Sequence, residues 1–64
     1  MDFIVEPTES YTLQQISDKL TLMNVPHIFI KVLNSDAIKA DLTFDEVCDL
    51  KDMAYCTHEA HHES

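Results

Sequence analysis

The chain has 64 residues, 45% of them hydrophobic, and sets twelve carboxylates against four lysines for a formal charge of −8. A chain this short makes one domain, residues 1–64, and buries only about 60% of the surface its unfolded form exposes, which excludes a second core. The negative excess repels phosphate, so direct nucleic-acid binding is disfavoured and a basic protein surface is favoured as partner.

From the N-terminus, Met1-Asp2-Phe3-Ile4-Val5-Glu6 places acids where a secretory signal needs bases. Phe3-Ile4-Val5 then halts at Glu6-Pro7-Thr8-Glu9, so residues 1–9 are expected as an N-terminal arm or edge strand. Thr12-Leu13-Gln14-Gln15 has the capping-box form, and a first helix is expected from it, with Leu13, Ile16 and Leu20 at helical spacing. Asn24 is a candidate cap for a second helix, with Pro26 in its first turn and Val25, Ile28, Phe29, Val32 and Leu33 forming an amphipathic stripe. That stripe reads as core, and Met23, Ile30 and Tyr11 beside it are the better candidates for apolar surface contacts, Ile30 first.

Ala37 to Leu42 alternates as an extended segment would. Thr43-Phe44-Asp45-Glu46 is a second capping box, opening a third helix on which Asp45, Asp49 and Asp52 share one face, with Asp41 just upstream and Glu46 nearby. The expected fold is mainly α, a compact three-helix domain with room for a short two-stranded pairing of residues 3–5 with residues 37–42. Glycine is absent, so positive-φ turns fall to Asn24, Asn34 or Asp36, and phosphate-cradling glycine loops are excluded.

Residues 57–64 form a polar tail in which His58-Glu59-Ala60-His61-His62 satisfies the H-E-x-x-H spacing of zinc proteases. Such an enzyme needs a third ligand and a walled cleft, and only two residues follow the motif, so catalysis is not expected. A small metal site through Cys56, His58 and His62 stands as an alternative to a solvated tail. Cys48 and Cys56 read as a reduced structural pair. No apolar run approaches the ~18 residues of a membrane span, and the chain is expected to be cytoplasmic, without membrane, metal or cofactor.

Two resemblances follow from longer stretches. Tyr11 to Leu20, Phe29 to Ile38 and Leu42 to Val47 resemble the helix-turn-helix of excisionase-type and antitoxin regulators, which implies a second helix that reads DNA. Tyr11, Thr12 and Ile16 match the Tyr-Thr-x-x-x-Ile entry of small acidic phage anti-CRISPR proteins acting on type I systems, which the chain also resembles in size, charge and lack of glycine. The second resemblance implies a non-catalytic, stoichiometric inhibitor bound to a Cascade subunit or its nuclease-helicase, in the host cytoplasm if phage-encoded. The partner-binding residues expected are Asp41, Asp45, Glu46, Asp49, Asp52 and Ile30, in a monomer or homodimer.

Overall fold

In the computed structural model, which describes residues 1–59, the chain runs β1 (Asp2–Pro7), α1 (Leu13–Leu22), β2 (His27–Val32), β3 (Ser35–Asp41), α2 (Phe44–Leu50) and β4 (Ala54–His58). The four strands form one antiparallel sheet in the order β2-β3-β1-β4. Strand β3 separates β1 from β2, and β1 separates β3 from β4. This is the doubled split β-α-β arrangement of ferredoxin-like domains. The expected mainly α, three-helix fold is therefore overturned, and with it the helical-bundle and helix-turn-helix readings.

The correction has three parts. Residues 1–9, expected as an arm or edge strand, supply the inner strand β1, and Phe3, Ile4 and Val5 are all buried because strands flank them on both sides. The pairing of residues 3–5 with 37–42 is one of three ladders, with Phe3 opposite Ala40 and Val5 opposite Ile38. The expected second helix is strand β2, whose six residues all pair with β3. Ile28, Phe29, Ile30 and Val32 are β-branched or aromatic, and pairing to β3 overrides the helical spacing of the apolar residues. Of the stripe read as core, only Val25 is buried; Val32 is half-buried, while Ile28, Phe29 and Leu33 are exposed.

The two helices start where their caps dictate. Thr12 Oγ1 accepts from Gln15 N–H at 3.2 Å while Gln15 Oε1 accepts from Thr12 N–H at 2.8 Å. Thr43 and Glu46 repeat this at 3.2 and 2.8 Å. Each box satisfies two backbone donors that a helix start otherwise leaves unpaired. Both helices cover the same face of the sheet, closing a core of Phe3, Val5, Ile16, Leu20, Ile38, Leu42 and Leu50 with smaller neighbours. Each fully buried aliphatic or aromatic side chain there contributes roughly 1.5–3 kcal/mol.

The other face of the sheet is covered by no helix among the described residues. Register places Ile4, Lys39, Ile28 and Thr57 in one row across it. Lys39 pairs with Glu59 at 3.2 Å and approaches Asp2 at 4.0 Å, reaching across β1 and so shielding Ile4 from solvent. Positive φ occurs at Asn24 (59°), as expected, and at Leu33 (58°) in place of Asn34 or Asp36. No helix of the described residues is long and apolar enough to cross a membrane.

Candidate protein-binding surfaces

The carboxylates are unevenly spaced along the chain. Residues 41–52 hold Asp41, Asp45, Glu46, Asp49 and Asp52, whereas residues 19–35 hold none. Because α1 crosses β3 to reach β2 and α2 crosses β1 to reach β4, the acids of α2 and the acid-free residues 19–35 occupy opposite halves of the domain, whereas Asp36 and Asp41, on β3, border β2.

The five acids have different roles. Asp41, at the end of β3, accepts a charged hydrogen bond of 2.6 Å from the amino group of Met1, whose pKa this contact raises above the ordinary amine value. Glu46 is committed to the capping box. Asp45, Asp49 and Asp52 are exposed and belong to no ion pair among the described residues. Asp45 and Asp49 stand one turn apart on α2. Asp52 lies in the turn after it, since the helix ends at Leu50 and does not run on as the sequence spacing suggests. Ile30, expected beside these acids, is half-buried on the helix-free face of β2, on the far half of the sheet.

Asp49 is placed against the interest of the helix. The last turn of α2 contains no basic residue, and Asp49 sits there, at the negative end of the helix dipole and one turn from the like charge of Asp45. Asp45 and Glu46, by contrast, sit favourably in the first turn.

A second polar feature escapes sequence reasoning. Ser17 Oγ, buried in α1, lies 2.8 Å from His27 Nε2, and His27 Nδ1 lies 2.9 Å from Val25 O. A carbonyl only accepts, so the neutral ring carries its proton on Nδ1 and accepts the Ser17 hydroxyl at Nε2. The pair has the spacing of a nucleophile and its base. A shallow depression of about 240 Å³ beside it is lined by Asp2, Pro26, His27, Ile28, Lys39, Ala40 and Asp41, but not by Ser17. It is smaller than the ~300–1,000 Å³ of small-molecule sites. The Ser17–His27 contact thus ties α1 to the start of β2. Ten residues separate the two, and only the strand at His27 brings them together, so no local motif announces them.

Among the described residues no group of three His, Cys, Asp or Glu side chains is arranged to hold a metal. His61 and His62 of the H-E-x-x-H match lie outside the described residues; His58 ends β4, edge-on to Phe3 at 5.2 Å. Cys48 is exposed, and Cys56 is half-buried with its thiol pKa pushed up by that burial. No family model, curated protein or solved structure matches this chain.

Proposed function

We propose that this domain acts by binding a protein, with the carboxylates of α2 engaging a basic surface of the kind proteins present to nucleic acid. The observation that carries the reading is Asp49: an exposed, unpaired carboxylate at the wrong end of its helix and beside a like charge costs the fold stability, so its use lies outside the fold. Asp45 and Asp49, one turn apart on α2, with Asp52 in the turn that follows, offer lysines and arginines acceptors in place of phosphates, with long-range attraction that speeds association. The action that fits is stoichiometric inhibition, the partner's nucleic-acid groove being occupied without chemistry. A Cascade subunit or its nuclease-helicase is the partner that the anti-CRISPR resemblance implies for this surface.

The test is affinity capture from host lysate with the full chain, against Asp45→Lys/Asp49→Lys/Asp52→Lys and a control, Asp18→Lys on α1. The expected result is a basic protein retained by wild type and by the control, released by added duplex DNA, and lost with the triple variant. A specific partner held equally well by the folded triple variant refutes the assignment.

A further inference from the structure

Among the described residues strand β2 is an outer strand and pairs on one side only, with β3. Asp41 N–H donates to Pro26 O at 3.4 Å, and the two-residue connection Leu33-Asn34 closes on the Val32↔Ser35 pair. Even-numbered residues of β2 therefore turn their backbone groups to β3, and His27, Phe29 and Lys31 turn theirs outward. Native sheets protect such an edge with a bulge, a proline, a charge or a covering element. β2 runs through six unbroken pairs, and its one acid-base group of fixed charge, Lys31, is engaged by Asp36 at 3.0 Å across the hairpin. At its centre apolar side chains lie on both faces: Phe29, between His27 and Lys31 on the helix side, is 58% exposed, and Ile28, beside Ile30 on the other, is 60% exposed.

Charge selects the occupant. A basic partner matches α2, on the far half of the sheet, and is mismatched to a segment whose only charged residues are Lys19 and Lys31. Two copies of a chain of −8 repel one another at most approaches, but residues 19–35 carry no carboxylate and the one beside this edge, Asp36, is held by Lys31. The opposite edge, β4, is bracketed by Asp52 and Glu59 and lacks that freedom. We infer that two copies of this chain pair β2 against β2, antiparallel about a two-fold axis, to form one continuous eight-stranded sheet.

The register follows from the outward groups. Phe29 meets Phe29 of the second copy on the axis, and His27 of each copy meets Lys31 of the other, so every outward N–H and C=O of the strand is paired. On the helix side the two phenylalanine rings come together, and on the other face Ile28 packs with Ile30 of the second copy. A symmetric edge of this kind is self-complementary, which a C2 interface requires. The dimer does not rest on the basic-partner reading; it leaves both α2 faces at the outer ends of the sheet.

Sedimentation equilibrium of the full chain, with amide hydrogen exchange followed by NMR, tests the inference. The expected species has twice the 7.4 kDa chain mass, and the amides of His27, Phe29 and Lys31 exchange as slowly as those of β1 and β3. Phe29→Asp, with its fold checked by the protection of β1, is expected to raise the dimer dissociation constant ~100-fold or more, as loss of a central aromatic contact does. Tyr55→Asp, on the opposite edge strand, is expected to leave dimerisation unchanged. The inference is overturned by a chain monomeric at every concentration, by a dimer whose three outward amides exchange freely, or by one that folded Phe29→Asp leaves intact.

Discussion

Replacing Asp49 by lysine is expected to strengthen the fold while weakening partner binding. The substitution removes a like-charge pair with Asp45 at i, i+4 and creates an opposite-charge pair, each step contributing roughly 0.2–0.5 kcal/mol. It also exchanges an anion for a cation in the last turn of α2, where each sign is typically worth about 0.3–1 kcal/mol. The helix has only seven residues and position 49 is exposed, so the lower ends of these ranges apply and the gain comes to about 1 kcal/mol. For a domain of this size that corresponds to a rise in Tm of roughly 4–8 °C. Thermal unfolding at low ionic strength measures it. Asp49→Asn, which removes charge without reversing it, should give about half, and in 1 M salt, where screening acts over ~3 Å, most of the gain should vanish. A variant no more stable than wild type at low salt, or a gain that survives high salt, refutes the idea that Asp49 is electrostatically misplaced, and with it the argument that its use lies outside the fold.

Leu33, 95% exposed at φ 58°, gives up almost no burial on substitution, so Leu33→Gly should relieve the left-handed penalty of ~1–2 kcal/mol and, after glycine's entropy cost of about 0.5–1 kcal/mol, raise stability by a few tenths to 1 kcal/mol in urea denaturation. Thr43→Ala removes the hydroxyl that accepts from Glu46 N–H and should lower stability by about 1 kcal/mol in the same assay, with a loss under 0.3 kcal/mol showing the cap to be dispensable. Iodoacetamide at pH 8 should modify Cys48 before Cys56, because burial keeps the Cys56 thiol protonated and half-covered; peptide mass spectrometry reads the order, and equal rates contradict the packing of β4.

What the sequence made legible was local. Both capping boxes are contacts between residues three apart, and both helices begin where Thr12 and Thr43 place them. Charge is compositional, so the acidic segment 41–52 was visible, but which acids are free was not. Asp41 is engaged by Met1, forty residues away, and only the β1–β3 ladder brings them together. Likewise the Val32↔Ser35 register leaves Leu33 and Asn34 as a two-residue hairpin connection, and Leu33, not Asn34, stands first in it, where a II′ turn places its one positive φ. Residue preference for the left-handed region, which favours asparagine, yields there to register.

The misreading of β2 as a helix has a physical cause that bears on the dimer. Apolar residues at 25, 28, 29, 32 and 33 satisfy helical spacing, yet 28 and 29 point to opposite faces once the segment is extended. An outer strand with one face to a core and one to water alternates apolar with polar, and that period of two is what identifies it in a sequence. β2 breaks the alternation at Phe29, which is apolar on the face it shares with His27 and Lys31, while Ile28, Ile30 and Val32 line the other; Phe29 and Ile28 both remain more than half exposed in the single chain. A run that is apolar on both faces is the pattern of an interior strand. β1, with Phe3, Ile4 and Val5 buried between two neighbours, shows it within this same sheet. The central run Ile28-Phe29-Ile30 of β2 has that interior pattern at a position with one neighbour, and the inferred pairing with a second copy supplies the other.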